Sequence, residues 1–320
     1  MNNTKRGTKK IIPVKIVATG RYLPEKIVTN EDFIKEFGEK ISPADLKKRL
    51  GTEEHRVANI NEQPSDLIVK AAKKILEKAG VSVKEITRLI ISTTPGDFIE
   101  PSTAAVVQDK LGAKCPVIEV SLSCAGWLTG VDIAARYLLT SDDEKEQILI
   151  IGGALLSRTL PVKFIQHRAI FGDGAGGVLL KKAKENEESC IYGSEFITFG
   201  EYFDLIHWPA SWTPPPKRVP RDGYGYFYMG GKALLFELLR HHLITTLDKL
   251  WKKTGFGPND VDFAILHQPS GPLFEETIKY SGISRNKIAQ NFERYGNTVS
   301  AELPITLDEA IENGKIKRGD

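Results

Sequence analysis

The stretch VIEVSLSCAGWLTGVDIAARYL, residues 117–138, decides the fold. Its first part, Val117-Ile118-Glu119-Val120, is apolar and β-branched and reads as a buried strand. Its last part carries Leu128, Val131, Ala134, Ala135 and Leu138 at helical spacing. Cys124 stands between them, followed by Ala125 and Gly126. A strand that turns into a helix is the repeating joint of an α/β sheet, and here a thiol sits at the joint.

The same alternation runs outward in both directions. VKIVATG (14–20) predicts a strand. Ser65 is expected to cap a helix with apolar positions Leu67, Ile68, Ala71, Ala72, Ile75 and Leu76, stopped by Gly80. RLIISTT (88–94) predicts the next strand, Thr103–Leu111 a short helix and PVIEVSL (116–122) a third strand. After the helix behind Cys124 come QILIIGGAL (147–155) and GGVLLKK (176–182). The order is βαβαβαββ, and strands apolar on both sides imply a sheet covered on both faces.

KKAKENEE (181–188) reads as a solvated linker, and beyond it the pattern restarts. CIYGSEF (190–196) predicts a strand, Lys232–Lys253 a long helix and DFAILHQ (262–268) a strand. A helix follows from about Leu273, then KIAQNF (287–292). Two similar α/β halves are expected, at 1–184 and 189–320. The second stops at GKIKRGD, where its last two strands should begin, so the sequence reads as lacking that pair.

The 44 Lys and Arg residues nearly balance 41 Asp and Glu residues, and four of the basic residues lie in the tail MNNTKRGTKK. That balance, with no aromatic–basic groove pattern, does not suggest nucleic acid. No segment reaches membrane-spanning length. Cys115, Cys124 and Cys190 form neither a disulfide framework nor a C-x-x-C metal pair, which points to a reducing cytoplasm.

A free cysteine is most simply a small buried hydrophobe. At a helix N-terminus, however, the dipole and the first N–H groups stabilise a thiolate and the oxyanion of a tetrahedral intermediate. Ala125 and Gly126 would let an acyl chain and backbone approach closely. Of the six histidines, His267 differs from the rest because it ends an apolar strand and opens the loop HQPSG. Asn297, in ERYGNT, also lies just past a strand, where a turn residue is the simpler reading. FGDGAG (171–176) precedes a strand rather than a helix and reads as a tight glycine turn lining the site, not as a dinucleotide loop.

Together SLSCAGWLTG, IFGDGAGGVLL, the HQ after a strand and FERYGNTVSAELPITLDEA resemble the thiolase-fold β-ketoacyl-acyl-carrier-protein synthase III family. The resemblance runs from the first strand to residue 320. It implies a five-layer α-β-α-β-α arrangement of the two halves and a homodimer. It also implies Claisen condensation of acyl thioesters, supplied by coenzyme A or acyl-carrier protein, with no cofactor or metal. By the same resemblance Cys124 is acylated, while His267 and Asn297 donate hydrogen bonds to the second thioester's carbonyl.

The sequence departs from the family pattern at four places. Asp45 stands where the family usually has the Trp that holds adenine. His267-Gln268-Pro269-Ser270-Gly271 replaces the family's HQAN, which has an Arg nearby. Glu302 occupies a position that often holds a small residue; a helix-start acid is the simpler reading of it. Glu100, before Pro101-Ser102, replaces a bulky apolar residue that reaches the partner subunit's site. A carboxylate there resembles the non-decarboxylating, head-to-head condensing relatives. A malonyl thioester gains its carbanion by losing carbon dioxide, whereas an ordinary acyl thioester must lose an α-proton to a base. Acyl transfer to oxygen or nitrogen, or a non-catalytic thioester-binding paralogue, are the alternative readings. The Pro- and aromatic-rich segment 208–227 reads as an ordered loop beside the acyl tunnel.

Overall fold

The computed structural model describes residues 11–37, 41–160, 168–184, 187, 189–208, 227–230 and 232–318. β1 (Val14–Tyr22) leads into an outlying subdomain: β2 (Lys26–Thr29), α1 (Asn30–Phe37), α2 (Pro43–Leu50) and β3 (Glu54–Val57). β2 and β3 pair antiparallel. The expected alternation then follows: α3 (Pro64–Ala79), β4 (Arg88–Thr93), α4 (Thr103–Leu111), β5 (Val117–Glu119), α5 (Gly126–Thr140), β6 (Gln147–Ala154) and β7 (Gly174–Lys182).

These strands form one five-stranded sheet in the order β1-β7-β6-β4-β5. β4 runs parallel to β5 and β6, and β7 runs antiparallel to β1 and β6. Strand periodicity divides the apolar side chains between two faces. Leu89, Ile91, Leu149, Ile151 and Leu179 pack under α3 and α4. Ile90, Ile148, Ile150, Val178 and Leu180 pack against α5 through Trp127, Ala134, Ala135 and Leu138. All of β6 is buried, as a strand covered on both faces must be.

Three local expectations are corrected. Ser65 is not the cap of α3, because Gln63 precedes the helix and its N–H donates to the Asp66 carboxylate at 2.8 Å. Ser65 is buried inside the first turn, and its N–H and hydroxyl both donate to Asp97. The strand at 116–122 shortens to Val117–Glu119. The linker begins later than 181, since Lys181 and Lys182 continue β7 opposite Lys15 and Val14.

In the second half, α6 (Lys232–Thr254), α7 (Gly271–Ser281), α8 (Phe292–Tyr295) and α9 (Glu302–Glu312) are present. Segments 190–196 and 262–268 are not strands. Each makes a single bridge, Ile191 to Ile12 and Ala264 to Ile288. The first half shows why: β1 and β4 both pair with the last two strands of their half, β7 and β6. The corresponding segments of the second half have no such pair among the described residues. The acyl-tunnel expectation at 208–227 falls almost wholly outside the described residues.

α9 lies against the α5 face of the first-half sheet, where Leu303 and Leu307 join the apolar cluster. Asp308 locks it there. Its carboxylate accepts from Thr19 at 2.7 Å and from Lys78 at 2.9 Å, and pairs with Arg21. Burial opposes its charge, but these donors outweigh it and hold the carboxyl below its usual range.

Candidate active site

Cys124 sits in a single 3₁₀ turn, Ser123–Ala125, that feeds directly into α5. The 15-residue helix presents its N-terminus to the thiol, and its first N–H groups have no intrahelical acceptors. Ser123 has φ 45°, a left-handed conformation that costs a non-glycine residue energy. The strain falls on the residue immediately before the nucleophile and turns the chain sharply there. At Gly126 a Cβ would stand 2.0 Å from Ser92 Oγ on β4. The close approach expected at Gly126 is that of helix to sheet.

Asn297 is brought to the same place by a strand-like contact. Its N–H donates to the Ile170 carbonyl at 2.8 Å, and its own carbonyl accepts from Gly172 at 3.2 Å. The expected tight glycine turn at 171–176 is instead extended chain: Phe171 bridges to Asn297, and Gly174–Gly176 already belong to β7. Between them Asp173 is fully buried and accepts from the N–H groups of Ala58, Leu156 and Ser157 and from the Ser157 hydroxyl. It ties this segment to two others.

The Asn297 side chain is oriented as well as placed. Oδ1 accepts the Val299 N–H at 2.8 Å, while Nδ2 makes only a long contact, 3.5 Å, to the Pro269 carbonyl. A donor is left available. Val299 has φ 51°, a rare conformation for a β-branched residue, so this turn too is strained. Beyond it Ser300 rests on the sheet, its hydroxyl 2.9 Å from the Ser92 carbonyl and 2.8 Å from that of Gly153. Gly152 permits this, since a Cβ there would be 2.0 Å from the Ser300 carbonyl.

His267 completes the cluster. Its side chain is 29% exposed, and Nδ1 lies 2.9 Å from Glu302 Oε2, at an angle off that of a straight hydrogen bond. The ring also interacts with the Cys124 thiol. Burial alone would lower its pKa. The Glu302 carboxylate, and then Cys124, reverse that and raise it well above 6.5.

The structure thus sets Cys124 and Glu302 against the His267 ring and places the Asn297 amide beside Pro269, two residues on from His267. Glu302 does start α9, as a helix-start acid should, but its side chain points to His267. Glu100 is elsewhere, exposed on the loop between β4 and α4. Among the described residues of the chain, no hydrogen bond or ion pair joins it to the other three. Asp45 lies in the first turn of α2, bonded to the capping Ser42. No group of His, Cys, Asp and Glu among the described residues could hold a metal ion. No described helix is long and apolar enough to cross a membrane.

Comparison with known proteins gives the family. Residues 118–200 match the profile of 3-oxoacyl-acyl-carrier-protein (ACP) synthase III, and residues 251–320 match that of its C-terminal part. The beta-ketoacyl-acyl-carrier-protein synthase III of Xanthomonas oryzae is 32% identical over 97% of this chain and 93% of its own length. The crystal structure of the Aquifex aeolicus 3-oxoacyl-acyl-carrier-protein synthase III superposes with a TM-score of 0.85 at 30% identity, covering 96% of this chain and 93% of that one. Xanthomonas campestris OleA, 21% identical, shares the fold with a TM-score of 0.85 over 99% of this chain and 94% of its own. With its thiolase-like fold and these relatives, the chain belongs to the 3-oxoacyl-acyl-carrier-protein synthase III family of condensing enzymes.

Proposed function

We propose that the protein is an acyltransferase that joins two acyl thioesters by Claisen condensation through an acyl-Cys124 intermediate. One observation carries the reading: a thiol at a helix N-terminus converges with His267 and an Asn297 amide whose N–H is left free to donate. The Cys124 thiolate attacks the first thioester, forming a new C–S bond and expelling the carrier thiol. The second thioester supplies a carbanion, and N–H groups of His267 and Asn297 stabilise its enolate oxygen. The carbanion attacks the acyl-cysteine carbonyl, a C–C bond forms, and Cys124 is released. Side chains alone supply this chemistry, so no cofactor or metal is required.

Acyl-carrier-protein thioesters are proposed as substrates from the names of the relatives, and acyl-coenzyme A thioesters from the family resemblance of the sequence. A homodimer is supported by the apolar pair Phe98 and Ile99, which are 59% and 80% exposed on the same loop as Glu100. Across such an interface Glu100 would reach the partner's site and take the α-proton of a non-carboxylated second substrate. Three free cysteines suit a reducing cytoplasm.

Product analysis tests the reading. With an acyl-coenzyme A and a second thioester, either malonyl or simple acyl, a β-ketoacyl thioester should form, and Cys124→Ala should form none. Acyl transfer to an oxygen or nitrogen acceptor without C–C bond formation would contradict it.

A further inference from the structure

Glu302 is a buried acid with an unusual orientation. An acid at the start of a helix commonly turns back onto that helix's own N–H groups. Glu302 instead reaches across the fold: Oε1 accepts the Gln268 N–H at 2.5 Å, and Oε2 lies 2.9 Å from His267 Nδ1. One carboxylate, itself 2% exposed, therefore hydrogen-bonds the Gln268 N–H and stands at ion-pairing distance from the neighbouring His267 ring. It cannot swing away readily, because Asp308, on the same helix, is clamped by Arg21, Lys78 and Thr19. A buried carboxylate is costly unless positive charge or donors face it, and the imidazole is the group placed to supply them.

We infer that Glu302 is a positioning residue that keeps the His267 proton on Nδ1, leaving Nε2 to exchange a proton with the Cys124 thiol. The inference rests on the reading of Cys124 as the nucleophile. A ring nitrogen beside a carboxylate carries its hydrogen, and the other nitrogen of the neutral ring is then an acceptor. Nδ1 is occupied by Glu302, so Nε2 is the nitrogen left for Cys124. In acylation the Cys124 S–H bond breaks and the proton moves to Nε2, giving an imidazolium stabilised by Glu302. The thiolate forms the C–S bond to the acyl carbon, and the C–S bond to the carrier breaks. The departing thiolate takes its proton from solvent, and Nε2 keeps the Cys124 proton. The imidazolium, its charge held by Glu302, donates Nε2–H to the enolate oxygen of the second thioester and returns that proton to Cys124 when the thiolate is released. A small residue at 302 offers no such acceptor and leaves the proton free to sit on Nε2. The position thus tunes His267 between fixed donor and proton carrier.

The charged groups acting on the ring are Glu302 from α9 and Cys124 from the 3₁₀ turn, both of which favour its protonated form. ¹⁵N-histidine NMR of the full chain, with His267 assigned from the His267→Asn spectrum, reads the tautomer directly. The neutral ring should show a protonated Nδ1. Glu302→Gln should lower the His267 titration midpoint by one unit or more and slow Cys124 acylation by about tenfold, the rate equivalent of one unit. A wild-type ring with its proton on Nε2, or an unchanged midpoint in Glu302→Gln, overturns the proposal. If that variant fails to fold, the wild-type tautomer decides alone. Failure of the nucleophile reading would show separately, as a wild-type protein that forms no acyl adduct.

Discussion

Cys124 stands at the edge of a five-stranded sheet whose central strand β6 is wholly buried, whereas His267 and Asn297 stand on segments that no sheet supports among the described residues. In the first half the backbone ladder fixes position: β4 and β6 set Ser92, Gly152 and Gly153, against which the Cys124 turn and Ser300 are seated. In the second half a buried polar network takes that part. Gln268 Oε1 accepts the N–H groups of Asn291 and Phe292, both at 3.1 Å. Asn291 Nδ2 donates to Thr306 at 3.0 Å and to Glu309 at 3.1 Å. A ladder tolerates the loss of a side chain at its centre; a network loses its geometry with one member.

Glu100 is a first-half residue proposed to act in the second half-reaction. Glu100→Ala should slow condensation with a non-carboxylated substrate by about 10²–10⁴-fold, the range of a general base, and leave Cys124 acylation nearly intact. An unchanged condensation rate would return Glu100 to being an exposed loop acid.

Next come two core changes of similar cost. Ile150→Ala removes a fully buried side chain from the centre of the sheet and should cost ~2–5 kcal/mol in denaturant unfolding. Gln268→Leu orphans two buried N–H groups, at ~1–3 kcal/mol each. At a temperature where both remain folded, Ile150→Ala should keep most of the condensation rate and Gln268→Leu should lose it. Equal losses of activity would break the distinction between ladder and network.

The smallest effect expected is on pH, where two histidines act with opposite sign. His55, buried beside Phe33, is lowered to about 4 by burial and then by the charge of Arg168. The unfolded chain protonates near 6.5, so stability falls as pH drops from 6.5 towards 4, by up to about 3 kcal/mol. His267 is raised instead, so its contribution is full below 6.5 and is lost as pH rises through its higher folded value. Stability should peak between these limits. His55→Gln should flatten the acid limb, and an unaltered limb would contradict the assignment.

The first half was legible in the sequence because strands buried on both faces leave unbroken β-branched runs, as in Gln147–Ala154. The family itself was legible through motifs in the right order, those around Cys124, His267 and Asn297. The segments at 190–196 and 262–268 misled because an apolar run is necessary for a central strand but does not supply its partners. Ser65 misled because Asp66 offered the Gln63 N–H a stronger acceptor one residue on. The contact between Glu302 and His267 was hidden because 35 residues separate them in the chain and only the docking of α9 brings them together. The available sign was an acid within the small and apolar run VSAELP.

The division of work between the halves is tested most directly by intact-protein mass spectrometry of Asn297→Ala after mixing with an acyl-coenzyme A and the second thioester. Asn297 stabilises only the second half-reaction in this account. The variant should therefore accumulate the acyl adduct on Cys124 while β-ketoacyl product falls by about 10²–10³-fold, as when one oxyanion donor is removed. An unmodified Cys124 in this variant, alongside an acylated wild type, would contradict it.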